Sequence, residues 1–126
     1  MFRRAIALAA FCLLALPAAA QLQRNFPENA LRGAIAFGIA PVIALNGRET
    51  RLAPGARIRM PNNMLVLPGG LPGGQIVANY TLDLYGQVKD VWLLTAAEAA
   101  NRPWPTTPDQ AAAWGFDPVA QVWVKP

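Results

Sequence analysis

From Gly33 onward the chain falls into short apolar runs, punctuated at close spacing by Gly, Pro and Asn. That texture belongs to an antiparallel β domain assembled from hairpins. The sharpest local signal is VIAL, residues 42–45, followed by Asn46-Gly47 and RETRL. Asn and Gly supply both positive-φ positions of a type I′ turn, so a hairpin is predicted. Farther on, Ala56, Ile58 and Met60 fall on one side of an extended segment, with Arg57 and Arg59 on the other. Pro61-Asn62-Asn63 then turns the chain into the apolar MLVL, a second hairpin. LPGGLPGG, residues 67–74, has neither the Lys-Ser nor the Lys-Thr of a phosphate cradle and leads into a strand. It reads as a loop of two Pro-Gly turns.

Residues 75–95, QIVANYTLDLYGQVKDVWLLT, carry the most information. A two-residue Tyr85-Gly86 loop sets Leu82 opposite Lys89, Tyr80 opposite Val91 and Ala78 opposite Leu93. On the other face it pairs Asp83 with Val88, Thr81 with Asp90 and Asn79 with Trp92. One face is then apolar and the other largely polar, whereas a one-residue slip mixes them. A bulge at Gly86 is the alternative. Thr95 and Glu98 have capping-box spacing ahead of a short helix that must stop before Pro103. Thr107-Pro108 opens another, with Gly115 as its stop. The expected fold is mainly β: a small antiparallel barrel or sandwich of five to seven strands, with one or two short helices near the C-terminus.

The first twenty residues stand apart. Arg3 and Arg4, an apolar run from Ala5 to Leu16, Pro17 and then Ala18 to Ala20 have the order of an export signal cleaved after Ala20. The apolar run is shorter than the ~18 residues that a membrane span requires. Farther along, GAIAFGIAPVIAL is interrupted by Pro41. The reading is therefore a signal peptide over 1–20 and one small β-rich domain over 21–126, periplasmic, with no transmembrane span in the mature chain. Cys12 is lost with the signal, so a hydrophobic core, without disulfides, must hold the domain together.

Composition removes most catalytic chemistry. The chain has no Ser, no His and no Cys beyond residue 12. A serine triad, a cysteine nucleophile, an imidazole base and an ordinary zinc site are all excluded. No cofactor is expected. Asp83 and Asp90 are diagonal neighbours on one hairpin face, at a spacing of ~7 to 8 Å that an inverting glycosidase pair would tolerate. They define an alternative reading as a small hydrolase, against the simpler one of a solvated strand face. The mature chain carries nine basic and seven acidic side chains, a net charge of +2. With export, that balance speaks against nucleic acid as a partner.

Three residues stand out as candidate ligand contacts. Arg57 and Arg59 project from the same side of their strand, suited to an anionic envelope component or a protein partner. The alternative is charge that keeps a strand edge from pairing with other chains. Trp92 lies on the polar hairpin face, so either the C-terminal segment covers it or a ligand does.

RNFPENALRG, LNGRETRLAPGARIR, NNML, NYTLDLYGQVKDVWLLT and NRPWPTTP together resemble a family of short exported proteobacterial proteins. The resemblance spans nearly the whole mature chain and implies a periplasmic address without a mechanism. Residues 79–94 also resemble the strand-turn-strand of TonB-type C-terminal domains, which implies a role at the cell envelope. The function expected is non-catalytic: binding or structural support of another envelope component through the β surface.

Overall fold

The computed structural model describes residues 24–126. The export signal expected over residues 1–20, with its expected cleavage after Ala20, lies outside these residues. Eight strands and two short helices follow in chain order: β1 (Leu31–Phe37), β2 (Val42–Leu45), β3 (Arg48–Arg59), β4 (Leu65–Val66), β5 (Gln75–Leu82), β6 (Val88–Leu93), α1 (Ala96–Ala100), α2 (Pro108–Ala113), β7 (Gly115–Asp117) and β8 (Val122–Val124). In space the strands run β2-β1-β5-β6-β3, and β2 also pairs with β3, which closes a five-stranded barrel. β4 extends the sheet beyond β3, and β7 pairs with β8 as a separate hairpin.

The barrel is mixed rather than antiparallel, because β3 and β6 run parallel. Parity demands this. Direction alternates at every antiparallel contact, so a closed ring with an odd number of strands cannot be antiparallel throughout. Hairpins set the direction of β2, β3 and β6, and the mismatch falls where β3 meets β6, a pair distant in sequence.

The turns follow their residues. Asn46 and Gly47 take φ of 53° and 83°, and Leu45 pairs with Arg48 across a two-residue loop. The Asn46 side chain also accepts the Ala34 N–H at 2.9 Å, which ties the turn to β1. In the β5–β6 hairpin the sequence register holds from Ala78–Leu93 to Thr81–Asp90. It is corrected at the tip, where Leu82 faces Val88 rather than Lys89. Gly86 sits at φ 79° and the Asp83 N–H reaches the Gln87 carbonyl at 2.8 Å. The loop therefore holds three residues and a glycine bulge, and a second irregularity after Thr81 restores the register.

Two cores result, one on each side of a single wall. Inside the barrel, Ile35, Ile43, Leu52, Ile58, Tyr80, Val88 and Val91 are buried together. The alternate residues of β1, β5 and β6 face outward, yet Arg32, Asn79 and Trp92 among them are not left to solvent. A coat lies over them, made by the segment before β1, both helices and the β7–β8 hairpin. Its apolar part is Phe26, Ala30, Trp104 and Trp123, with Trp92, Trp114 and Phe116 packed against them. Phe116 and Trp123 stack with centroids 4.6 Å apart, and Trp104 meets Trp123 edge-on at 6.1 Å. Gln121 fastens the coat at its ends. Its Oε1 accepts the Phe26 N–H at 2.9 Å, and its own carbonyl accepts from the Asn101 side chain at 2.7 Å.

Both helices start as their residues dictate. Thr95 accepts the Glu98 N–H while Glu98 accepts the Thr95 N–H, a complete capping box for α1. Thr107 caps α2, with Pro108 in its first turn.

Candidate functional site

Arg57 and Arg59 lie on the outer side of β3, flanking Ile58, which points into the barrel. Arg57 is exposed and Arg59 half-buried. Across the β3–β4 ladder Arg59 pairs with Leu65 and Ile58 with Val66, and Leu67 follows the ladder with extended backbone. Leu65 and Leu67 are 63% and 80% exposed. Directly opposed residues share a face. The outer surface of this hairpin thus carries a small plate of two guanidinium groups, with Leu65 opposite Arg59 and the exposed Leu67 just past the ladder. On the β6 side Arg57 is registered with Asp90 and Arg59 with Trp92, and the Asp90 carboxylate moderates the field of the plate.

The other sequence-derived candidates fall elsewhere. Trp92 is half-buried under the coat, edge-on to Phe26 at 5.7 Å. It belongs to the second core, where the C-terminal tryptophans also pack. The Asp83 carboxylate accepts the N–H groups of Tyr85 and Gln87 at 2.9 and 2.8 Å, which makes it the organiser of the hairpin tip. Asp90 accepts from the Thr81 hydroxyl at 3.2 Å. Neither carboxylate lines a cleft with the other.

One cleft was not anticipated. It has a volume of about 670 Å³ and opens between the segment before β1, the β3–β4 turn, the start of α1 and the loop before β8. Arg24, Arg32 and Glu98 supply its charge. Arg24 forks onto Glu98, with Nε donating to Oε2 at 2.9 Å and Nη2 to Oε1. It also donates to the carbonyls of Met60 and Leu93 at 3.1 and 2.8 Å, joining the end of β3 to the end of β6. Burial opposes ionisation of Glu98, but the hydrogen bonds from Arg24 and Thr95 outweigh it and hold this carboxyl below its ordinary range.

Arg32 is an outward residue of β1 that the coat has buried, at 8% exposure. Its Nε donates to Asn79 Oδ1 at 3.0 Å, and its two Nη atoms to the carbonyls of Asn101 and Glu98 at 2.6 and 3.1 Å. The guanidinium lies over the Trp104 ring at 4.9 Å. Desolvation by burial lowers its pKa to about 10, an effect that the Glu98 charge opposes and Arg102 reinforces. Glu98 is thus held as a carboxylate, and Arg32 keeps its charge at neutral pH. The Thr95 hydroxyl accepts the Glu98 N–H as the helix cap. The cleft has the makings of a binding site more than of a proton-transfer site.

Sequence reasoning missed this cluster because its members are far apart in the chain, with Arg24 and Glu98 separated by 74 positions. The capping-box spacing marked Glu98 as a helix cap and nothing more. Comparisons with protein-family models, with curated sequences and with solved structures give no match.

Proposed function

We propose that the chain is a non-catalytic exported protein of the cell envelope, which docks on an anionic membrane surface through the outer β3–β4 face. The observation that carries this reading is the outward pair Arg57 and Arg59 with the exposed Leu65 opposite Arg59 and the exposed Leu67 just beyond it. Basic and apolar groups side by side are what an anionic bilayer surface selects. The export address rests on the order of residues 1–20 and on the family resemblance.

Magnitudes make the contact weak. Each guanidinium near an anionic surface contributes about 1 kcal/mol, and each half-inserted leucine about as much again. A total of about 4 kcal/mol corresponds to a Kd of about 1 mM in accessible lipid. Such binding is screened by salt and suits a protein held at the membrane by avidity or by a second partner.

Co-sedimentation with phosphatidylglycerol vesicles tests the reading, with phosphatidylcholine vesicles as reference. Binding is expected only to the anionic vesicles, at low salt, and it should fall in R57A/R59A and in L65S/L67S while the unfolding free energy stays within about 0.5 kcal/mol of the parent. Equal sedimentation with both lipids, or no loss in either double variant, refutes the plate as the docking face.

A further inference from the structure

We propose that the cleft beside α1 is a binding site for a small organic monocarboxylate, whose carboxylate is seated against Arg24 and Arg32 and whose apolar body lies along Phe26, Pro61 and Val119. The site is separate from the β3–β4 plate.

Charge accounting leads there first. A buried charge in a protein is ordinarily paired with an opposite one, because desolvation is costly. Among the described residues the one ion pair is Arg24–Glu98. Arg32 is as deeply buried as these two, yet all its hydrogen-bond partners are neutral: one amide oxygen and three backbone carbonyls. The carbonyls at the end of α1 account for where the guanidinium points. They bring no full negative charge to meet it, and a helix of five residues has little dipole to offer. Two guanidinium groups against one carboxylate leave the cleft one positive charge in excess.

Donor counting agrees. A guanidinium has five N–H groups. Arg24 donates four bonds and Arg32 four, so each retains one N–H without a partner among the described residues. Both residues line the same cleft. Two spare donors on two cations match the two oxygens of a carboxylate. Glu98 narrows the choice of anion, since its carboxylate in the same cleft would repel the second negative charge of a phosphate. The volume suits a compact molecule. Phe26, Pro61 and Val119 give its body an apolar wall, and Asn62 and Gln121 stand at the walls for a hydroxyl or amide substituent.

The test is a titration of the purified protein with phenylacetate, followed through the Nε–H resonances of Arg24 and Arg32 in ¹H–¹⁵N spectra. Saturable shifts of both are expected, with a Kd of about 1 mM or tighter. The neutral 2-phenylethanol and inorganic phosphate should each bind about tenfold more weakly or not at all. Arg32 is too deeply built into the coat for its removal alone to be decisive, so the second variant is A97W. It adds bulk at an exposed position of the cleft wall, leaves both arginines in place, and should abolish the phenylacetate shifts. R57A/R59A should retain them, which separates this site from the membrane plate. Four outcomes overturn the assignment: no saturation at concentrations of about 20 mM, equal binding of the alcohol, equal binding of phosphate, or unchanged binding in A97W.

Discussion

Replacing Glu98 by Gln isolates one charge in the most connected polar cluster of the fold. Gln retains a carbonyl oxygen that can accept the Thr95 N–H, so the capping box survives in outline. What goes is the negative charge facing Arg24, together with one of the two oxygens that its guanidinium grips. Arg24 keeps its bonds to the Met60 and Leu93 carbonyls, so it is not stranded. Breaking a fully buried pair costs about 3–5 kcal/mol, and a charge-assisted hydrogen bond contributes about 1.5–3. With Arg24 at 5% and Glu98 at 13% side-chain exposure, and half the bonds retained, the expected loss is about 2–3 kcal/mol at pH 7.

Urea unfolding followed by tryptophan emission measures it. For a domain of this size an m-value of about 1–2 kcal/mol per molar makes the midpoint fall by about 1–2 M. The pH dependence supplies the sharper check. The Glu98 pKa is lowered from 4.5 in the folded protein, so its stabilisation is complete above that value and is lost as pH falls through the folded pKa. All other carboxylates are common to both proteins and cancel in the difference. The gap between parent and E98Q should therefore be widest at neutral pH and narrow as pH falls below the ordinary carboxylate range. A gap under about 0.5 kcal/mol at pH 7, or one that does not narrow in acid, would refute the assignment of this pair as a stabilising cross-brace.

Two further substitutions address the coat and the wall beneath it. Trp123 is almost wholly buried between Phe116 and Trp104, so W123A should cost about 3–5 kcal/mol and flatten the near-ultraviolet circular dichroism; a cost below about 1 kcal/mol would mean the coat is not packed as described. At Gly33 an added Cβ would stand 3.0 Å from Asn46 Oδ1 and 3.1 Å from the Tyr80 ring, so G33A should cost about 1–2 kcal/mol in urea unfolding by prising the Asn46 turn from β1, and a neutral result would show that this turn is free to shift.

The local features of this fold were legible and the non-local ones were not. Asn46-Gly47, the Thr95 and Thr107 caps and the alternation through Arg57 and Arg59 each depend on residues a few positions apart, and each forms as read. The β5–β6 register was legible away from the tip because burying one face rejects a slip. At the tip Gly86 takes the bulge, which was the alternative. The antiparallel expectation failed at β3–β6, where strand parity around a closed ring overrides local hairpin logic. Arg32, Asn79 and Trp92 share the outer side of neighbouring strands, and the mixture of charge, amide and indole looks like a solvent face until a coat is known to lie over it. Nor does any local pattern before Leu31 announce that β1 begins there or that Arg24 and Phe26 serve the cleft and the coat. Ion pairs such as Arg24–Glu98 have no periodic signature by which a sequence can announce them.

The Gln121 fastening has a consequence for the order in which the chain can become complete. Phe26 and Gln121 are 95 residues apart, and tying such a loop directly costs about 4 kcal/mol of chain entropy. Once the barrel exists, the intervening chain is already folded back on itself and most of that cost has been met by the strand pairings. Without the coat the indole of Trp92 and the guanidinium of Arg32 would face water on the outer wall. The Gln121 tie is therefore cheap only on a formed barrel, and the cleft, which takes walls from both ends of the described residues, depends on that tie.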